Sequence, residues 1–250
     1  MRRYFVEQNL QDQNELLLTG DLFHHIIDVC RQGLGSQFEL LTPESVAYFG
    51  KIISLQKKQA VFEILESRHI KALPRPHIHL AVSVPKFPTY ETILEKAVEL
   101  GVHSVHPFFS DFSFIRTQNS WPEQKSERWK KIVIGATQQS GRGELMKMLP
   151  PQNLPNILAL IDQTPDSMCL FAYEGEAPIS IKDYVKQKKS DKIENIWILV
   201  GSEGGFSDQE VVLLNSRGHS PVTLGEQVLR VETACLALVS ALKYEFDLLK

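Results

Sequence analysis

The stretch Trp197-Ile-Leu-Val-Gly201-Ser-Glu-Gly-Gly-Phe-Ser207-Asp-Gln-Glu210 sets the organisation of the chain. It continues an apolar run, Ile196 to Val200, of the kind found in strands that are buried on both faces. The run ends in a turn that contains Gly201, Gly204 and Gly205. Because glycine lacks a Cβ, such a turn can adopt positive φ or come close to another group.

A helix is predicted to begin directly after this turn. Ser207 and Glu210 have the spacing of a capping box, in which each side chain hydrogen-bonds the backbone N–H of the other residue. A strand, a glycine turn and a helix amino terminus together present unpaired N–H groups to a ligand. Glu203 lies inside the turn, where folding does not require a carboxylate.

The same order of elements recurs further along the chain. Pro221 to Leu224 is predicted to be a short strand, Gly225 to Arg230 a loop, and the residues from Val231 onward a helix. Two loops at the same ends of neighbouring parallel strands meet at one sheet edge, which is where open α/β folds bind ligands. The alternative is that both are ordinary turns between a strand and a helix.

Arg230 is harder to explain as a structural residue. Val228 and Leu229 beside it are expected to be buried, so its guanidinium is held next to an apolar loop. A guanidinium in this position suits binding of a carboxylate, a phosphate or a developing oxyanion.

Composition indicates an ordinary globular protein. Of its 250 residues, 43% are hydrophobic and 23% are charged. No apolar run approaches the roughly 18 residues of a membrane span, and Glu7 and Gln8 interrupt the opening residues before they could form a secretory signal. The 3 cysteines are widely spaced, which predicts free thiols in a reducing compartment. We therefore expect a cytoplasmic protein without a membrane partner.

Local charge leaves nucleic-acid binding open. The formal net charge of −3 does not indicate a nucleic-acid-binding protein. Between Arg116 and Lys147, however, 7 Lys/Arg face 3 Asp/Glu, a surplus of 7 − 3 = 4. Such a surplus is either a solvated helix face or an RNA contact.

The order of predicted elements divides the chain in two. Residues 1–72 contain short strand-like runs and one helix from Asp21, a possible N-cap, to Cys30, which is typical of a small β-barrel. After two prolines, strands and helices alternate, which indicates a parallel α/β sheet over residues 73–250. The predicted helices span 89–100, 123–139, 179–186 and 232–249, and the predicted strands 77–84, 102–109, 168–173 and 196–200.

Several classes of enzyme lack their motif. The glycine turn does not satisfy G-x-G-x-x-G, and the chain has neither a P-loop G-K-[ST] nor a G-x-S-x-G elbow. The pairs His77/His79 and His103/His106 have no third ligand nearby in sequence, so we predict structural histidines and no metal. His24 and His25 on the first-domain helix either cover the core or contact a phosphate.

Val200-Gly-Ser-Glu-Gly-Gly-Phe-Ser207 and Leu224-Gly-Glu-Gln-Val-Leu-Arg-Val-Glu-Thr-Ala234 resemble the two signature loops of the ribosomal small-subunit methyltransferase E (RsmE) family. The resemblance covers the whole chain. Further matching segments are Arg2-Arg-Tyr-Phe-Val, His24-His25, Arg31, Lys96-Ala-Val-Glu-Leu-Gly-Val102, Arg128-Trp129, Ile132, Ala136, Gln139-Ser140 and Arg142. Two departures stand out: Ser202 replaces the family's usual proline, which is expected to loosen the turn, and the segment after Lys86 differs.

The resemblance implies a fold and an activity. The fold is α/β, with a SPOUT-type parallel sheet and a C-terminal trefoil knot in residues 73–250 and a PUA-like, RNA-binding β-barrel in residues 1–72. The activity is S-adenosylmethionine-dependent methylation of N3 of a uridine in 16S rRNA of the small subunit, by a cytoplasmic homodimer. The amphipathic last helix is a candidate dimer interface. The alternatives are a SPOUT enzyme that acts on tRNA and a non-catalytic RNA-binding module.

The resemblance also implies site residues. Arg230 and Glu203 are the expected catalytic residues. The expected cofactor-binding residues are Phe171, Tyr173, Glu174, Leu199, Val200, Gly201, Glu203, Gly204, Gly205, Leu224, Gly225, Val228, Leu229, Arg230 and Thr233. The expected RNA-binding residues are Arg2, Arg3, His24, His25, Arg31, Lys86, Arg128, Gln139 and Arg142.

Overall fold

The computed structural model describes residues 1–175, 179–188 and 192–249. The chain divides into two compact units. The first comprises Met1–Ala72 together with Ile134–Leu145, and the second comprises Leu73–Val133 together with Met146–Lys250. The segment Ile134–Leu145, which sequence analysis assigned to the second domain, thus clusters with the first unit.

The first unit is a curled sheet of mostly antiparallel strands. Its strands are β1 (Arg3–Phe5), β2 (Glu15–Thr19), β3 (Gln37–Leu41), β4 (Val46–Gln56) and β5 (Gln59–His69). They lie in the order β1-β3-β4-β5-β2, and only the β1–β3 pair is parallel. A short helix, α1 (Gly20–Phe23), continues as a π-helical segment (His24–Val29).

Alternation along the strands builds the core of this unit. In β2, Leu16 and Leu18 point inward while their neighbours are exposed, which is the period of a half-buried strand. The rings of Phe38 and Phe62 stack at a centroid distance of 4.6 Å. The predicted N-cap at Asp21 is wrong: Thr19 occupies the N-cap position without a side-chain hydrogen bond, because the helix begins earlier.

The second unit contains a parallel sheet. Its strands are β6 (His77–Ser83), β7 (Ser104–Phe109), β8 (Lys147–Met148), β9 (Gln152–Asn153), β10 (Ser167–Ala172), β11 (Ile179–Ser180), β12 (Asn195–Val200) and β13 (Ser220–Thr223). The sheet order is β11-β13-β10-β12-β6-β7-β8, and β9 also pairs with β7. Every pairing is parallel. The alternation of strands and helices therefore predicted the sheet type correctly.

Six α-helices lie wholly or partly within the described residues of this unit. They are α2 (Phe87–Glu99), α3 (Ser126–Ser140), α4 (Leu154–Gln163), α5 (Ile181–Lys188), α6 (Asp208–Ser216) and α7 (Val231–Glu245). Sequence analysis missed α4, although its signals were present. The Asn153 side chain accepts a hydrogen bond from the Asn156 N–H at 2.9 Å, a proline follows in the first turn, and Ile157, Leu158 and Ile161 form a buried stripe.

The last helix is shorter than predicted. It ends at Glu245, and Asp247 has a left-handed φ of 55°. Cys235, Leu238, Val239 and Leu242 are buried, so most of the predicted apolar stripe packs inside the chain. This stripe is therefore not available as a dimer interface, because a helix can bury one face only once.

Four histidines lie towards the amino ends of β6 and β7. His79 Nδ1 and His106 Nε2 are each 2.7 Å from the Ser104 hydroxyl oxygen, and both imidazole rings pack against Trp197. Burial, reinforced by neighbouring histidines, lowers the pKa of His106 to about 3.

No helix in the described ranges is long and apolar enough to cross a membrane.

Candidate active site

Three loops meet at the carboxyl edge of the parallel sheet. Strands β13, β10 and β12 are neighbours in the sheet, so the segments that follow them emerge side by side. These segments are Tyr173–Gly175 after β10, Gly201–Ser207 after β12, and Leu224–Arg230 after β13. The two loops singled out from the sequence are thus separated in the sheet by β10, whose own loop lies between them.

The glycine turn after β12 is tightly closed. The Gly205 N–H donates to the Ser202 carbonyl at 2.9 Å, and Gly205 has a φ of +70°. A Cβ at Gly201 would lie only 2.7 Å from the Gly205 carbonyl carbon. Glycine at these two positions is therefore required by the turn itself.

The capping box predicted for α6 is confirmed. The Ser207 N–H donates to Glu210 Oε2 at 2.9 Å, and the Glu210 N–H donates to Ser207 Oγ at 3.4 Å. The second Glu210 oxygen, Oε1, accepts from the Asp111 N–H at 3.0 Å. The cap therefore also holds the segment that follows β7.

Ser202 does not loosen the turn as expected. Its hydroxyl donates to the Phe112 carbonyl at 2.6 Å, and the residue is 5% exposed. A proline at this position has no group that could make this bond. In this chain, the serine thus ties the glycine turn to the segment after β7.

Glu174 connects the loop after β10 to the glycine turn. Its carboxylate occupies the space that a Cβ of Gly205 would need. The loops after β10 and β13 line a pocket of about 70 Å³ that is open to solvent. Its lining residues are Ala172, Tyr173, Glu174, Val222, Thr223, Leu224, Gly225, Glu226, Gln227, Val228, Leu229 and Ala234.

A second pocket adjoins the first through Glu174, Val228 and Leu229. It brings together Glu203, Arg230 and Lys86, which the sequence places far apart. The remaining lining residues are Thr89, Ser202, Gly205, Val231 and Glu232. Glu203 Oε1 accepts a hydrogen bond from the backbone N–H of Lys86 at 3.3 Å, which links the glycine turn to the start of α2.

Arg230 is placed at the start of the last helix. It occupies the N-cap position of α7, and its carbonyl accepts from the Ala234 N–H at 2.8 Å. Its side chain is exposed and makes no hydrogen bond or ion pair with the rest of the described chain. Its guanidinium is therefore available to a ligand in this pocket.

The predicted burial of Val228 is wrong. Val228 is 79% exposed, and Leu229 is only partly buried. Both residues lie in the loop that follows Gly225, whose φ is +115°. Both side chains line the pockets and do not join the core.

Family models match both parts of the chain. The description "RNA methyltransferase domain" matches residues 71–243, and "RNA methyltransferase PUA domain" matches residues 18–65. A Ribosomal RNA small subunit methyltransferase E from Aquifex aeolicus is 35% identical over 201 residues, which cover 80% of this chain and 82% of the relative. The chain belongs to the RsmE family.

Two further comparisons cover almost the full length of both proteins. The Bacillus subtilis Ribosomal RNA small subunit methyltransferase E is 28% identical over 100% of this chain and 99% of its own. The crystal structure of a family member from Neisseria gonorrhoeae bound to S-adenosyl methionine has a TM-score of 0.84 at 27% identity. That comparison covers 98% of this chain and 97% of the other. The fold predicted from the resemblance, a parallel α/β sheet with a PUA domain, is confirmed.

Some predicted cofactor-binding residues do not offer their side chains to the pockets. Phe171, Leu199 and Val200 are buried within β10 and β12. Gly204 faces Phe112, and Thr233 is exposed on the first turn of α7. Any contact of the strand residues with a ligand would have to use their backbone, because their side chains are buried in the core.

In the first unit, some of the predicted RNA-binding residues line an open groove, and others are paired with acidic side chains. Arg2 Nη1 donates to the Cys30 carbonyl at 2.5 Å, and Arg2 and Arg31 line one open groove. His25 lies nearby, with its ring edge-on to Tyr4 at 5.8 Å. By contrast, His24 pairs with Asp28 through Nδ1 at 2.8 Å.

Three predicted RNA-binding arginines are engaged or buried. Arg3 donates to Glu39 at 2.8 Å. Arg128 makes a bidentate pair with Glu91 at 2.8 and 2.6 Å. Arg142 is 7% exposed, and burial lowers its pKa to about 10. Gln139, by contrast, is exposed at the end of α3. The sequence alone did not distinguish the paired or buried arginines from the exposed residues, because burial depends on tertiary packing.

The segment after β7 is a part of the site that was not predicted from the sequence. Asp111 N–H donates to Glu210, and Phe112 supplies its carbonyl to Ser202. The available signal was positional: this segment also follows the carboxyl end of a predicted parallel strand. Thr89 and Glu232 were missed as pocket residues as well.

Proposed function

We propose that this protein transfers the methyl group of S-adenosylmethionine to N3 of a uridine in 16S rRNA of the small ribosomal subunit. One observation carries the proposal: three loops from neighbouring parallel strands form two adjoining pockets, with Glu203 and Arg230 in one of them. The family supplies the chemistry, since its members are named as small-subunit rRNA methyltransferases.

The residues of the first pocket fit S-adenosylmethionine. Leu224 and Leu229 provide apolar contact for an adenine ring, while loop N–H groups can read its edge. The Glu174 carboxylate is of the residue type that accepts hydrogen bonds from ribose hydroxyls. When bound, this cofactor supplies an electrophilic methyl group.

The second pocket would hold the target base. N3 of uridine carries a weakly acidic imide proton, so this nitrogen becomes a good nucleophile only as the proton leaves. The negative charge that develops spreads onto the flanking uracil oxygens. Arg230, whose guanidinium is free of other partners among the described residues, would stabilise this charge.

Glu203 is the proposed acceptor of the N3 proton. Its Oε1 is held by the Lys86 N–H at 3.3 Å, whereas no hydrogen bond engages Oε2 within the described part of the chain. A carboxylate fixed through one oxygen can present the other to a substrate proton. The exposed ammonium of Lys86 beside it would contact the phosphate backbone of the RNA.

We further propose that the C-terminal segment forms a trefoil knot. The support is topological: β13 lies on the far side of β10 from β12, yet α7, which follows β13, packs against β12 and α2. The final segment therefore returns past the loops that precede it.

We also propose that the enzyme works as a cytoplasmic homodimer. Val228, which is 79% exposed at the pocket rim, would be covered by a second copy. The cytoplasm is the proposed location because the small-subunit rRNA substrate is there. In the first unit, the groove lined by Arg2 and Arg31 would bind RNA.

The decisive experiment analyses nucleosides of 16S rRNA from cells with and without the gene by mass spectrometry. The proposal requires that N3-methyluridine disappears on deletion and returns with the wild-type gene. In a parallel assay, the purified protein receives labelled S-adenosylmethionine with rRNA or with tRNA. Labelling of tRNA alone, or persistence of N3-methyluridine after deletion, would refute the proposed function.

A further inference from the structure

Two phenylalanine rings project into solvent from the segment that follows β7. Phe112 is 47% exposed and Phe114 is 53% exposed, whereas Ser113 between them is 4% exposed. Large aromatic side chains that are adjacent and exposed commonly mark an interaction surface. We refer to Phe112 and Phe114 as the phenylalanine pair.

The backbone under the phenylalanine pair is firmly held. The Ser113 hydroxyl accepts from the Ser110 N–H at 2.7 Å and hydrogen-bonds the Ser83 hydroxyl at 2.9 Å. The Phe112 carbonyl accepts from Ser202, and the Phe114 N–H donates to the Val84 carbonyl at 2.8 Å. The rings are thus presented by an ordered segment, and their exposure does not result from a loose loop.

The phenylalanine pair adjoins the candidate active site. A Cβ at Gly204, the residue after Glu203, would lie 2.9 Å from Phe112 Cβ, so this side chain packs on the glycine turn. Phe114 is anchored to Val84, close in sequence to Lys86, which lines the pocket with Glu203. A strand of RNA whose target base enters the pocket would therefore leave it beside these rings.

Two cationic residues lie near Phe114, one through the neighbouring Phe87 ring and one in sequence. Phe114 packs edge-on against Phe87 at 5.5 Å, and Lys125 Nζ lies 5.2 Å from the Phe87 ring centroid. Arg116, close in sequence to Phe114, is exposed. The adjacent acid, Asp111, accepts a hydrogen bond from the Ser207 hydroxyl at 2.5 Å. Aromatic rings bordered by cations are the arrangement that binds single-stranded nucleic acid.

We propose that Phe112 and Phe114 stack on the unpaired bases that flank the target uridine. This inference rests on the proposed function and names the residues that hold the RNA next to the reacting base. A target base that leaves its stack deprives its neighbours of a stacking partner. An exposed aromatic ring at the pocket mouth replaces that partner, and it accepts any base because every base has a π face.

Phe114 provides the cleaner test because Phe112 also packs on the glycine turn. Phe114→Leu keeps an apolar side chain but removes the ring, whereas Phe114→Trp keeps a ring. Tyr244→Leu is the matched control, since Tyr244 is an aromatic residue that is 73% exposed on α7. The assays measure methyl transfer to small-subunit rRNA from gene-deleted cells, filter binding of the same rRNA, S-adenosylmethionine affinity by calorimetry, and oligomeric state by light scattering.

The expected result for Phe114→Leu is a rise of about tenfold in KM and Kd for rRNA. Its kcat, its cofactor affinity and its oligomeric state should stay within about twofold of wild type, because stacking of a flanking base is separate from cofactor binding. Phe114→Trp should keep the wild-type KM and show quenching of the added tryptophan emission when rRNA is bound. Tyr244→Leu should behave as wild type.

The inference is overturned if Phe114→Leu retains the wild-type Kd and KM for rRNA. A change in oligomeric state would also overturn it, since it would assign the phenylalanine pair to a contact between copies. The proposed function fails separately: a wild-type protein that binds rRNA in a Phe114-dependent way but never methylates it would refute the activity and leave the stacking role intact.

Discussion

At the scale of single residues, this site is built from positions whose roles differ in kind. Arg230 has no partner in the described chain and faces a pocket, while Ser202 is buried and engaged. An exposed cation without a partner at a pocket is a candidate for binding a ligand. A buried hydroxyl that donates to a carbonyl contributes to the stability of the fold. Replacing Arg230 should therefore change the rate of methyl transfer, whereas replacing Ser202 should change the stability of the fold.

Arg230→Ala is expected to lower the rate of methyl transfer by about 10²–10³, the usual loss when one preorganised donor is removed. Single-turnover kinetics with rRNA and saturating cofactor would measure this. The matched control is Arg217→Ala, since Arg217 is a surface arginine that pairs with Asp162 at 2.6 Å. A wild-type rate in Arg230→Ala would exclude the proposed role.

Ser202→Ala is expected to destabilise the fold by about 0.5–1.5 kcal/mol, because the part-buried hydrogen bond from Ser202 to the Phe112 carbonyl is lost. Urea denaturation of both proteins would measure the free energy of unfolding. Ser216→Ala is a suitable control, since that hydroxyl donates to a carbonyl on the exposed surface of α6. Equal stability of wild type and Ser202→Ala would contradict the anchoring role.

At the scale of elements, the parallel sheet brings the loops together. Strands β12 and β13 were predicted from their apolar runs, but their separation by β10 was not. Pairing order depends on contacts between residues that are distant in sequence, so local patterns do not specify it. The same limit applies to α3, which begins in the second unit and ends in the first.

His106, near the amino end of β7, should make this sheet sensitive to acid. The folded-state pKa of His106, about 3, is below the ordinary value of 6.5, so the unfolded chain binds its proton more readily. The stability from the neutral ring is complete above about pH 6.5 and is lost as the pH falls towards 3. Protonation of His106 costs about 1.4 kcal/mol of folding free energy per pH unit within this window.

Unfolding by urea at pH 7, 6 and 5 would test this expectation. The free energy of unfolding should fall with decreasing pH in the wild type and fall less steeply in His106→Gln. His69→Gln, at the exposed end of β5 in the first unit, is the control and should keep the wild-type slope. Identical slopes in wild type and His106→Gln would show that His106 does not account for the acid sensitivity.

At the scale of the whole molecule, charge is distributed unevenly. The net charge is −3, yet Arg2, Arg31 and Lys86 are exposed cations that line pockets. RNA binding through such groups releases counterions, so affinity falls with salt. The relevant quantity is therefore the local arrangement of cations, which the formal net charge does not describe.

The Kd for rRNA should rise about 20-fold between 50 and 200 mM salt if three phosphates are contacted, from a slope of roughly −0.7 per contact on single strands. Filter binding across this range would measure the slope. Lys86→Ala should reduce its magnitude by roughly one contact. An exposed cation remote in sequence from the pocket residues, such as Lys58, provides the control when changed to Ala. A slope near zero in the wild type would exclude phosphate contacts as the main source of affinity.

The sequence by itself determined the features that depend on local patterns. The apolar run before Gly201, the Ser207–Glu210 cap and the alternation of strands and helices each follow from neighbouring residues, and each is present in the structure. The resemblance in the two glycine loops likewise identified the family correctly.

Only the tertiary structure decided which side chains are available for function. In the folded protein, Val228 is exposed at a pocket rim and Arg142 is buried. Arg128 forms an ion pair with Glu91, and the Lys86 N–H contacts Glu203. Ser202 was expected to loosen the glycine turn, but its hydrogen bond to the Phe112 carbonyl holds the turn against the segment after β7. The physical reason is that burial and pairing depend on residues brought together from distant parts of the chain, which no local pattern encodes.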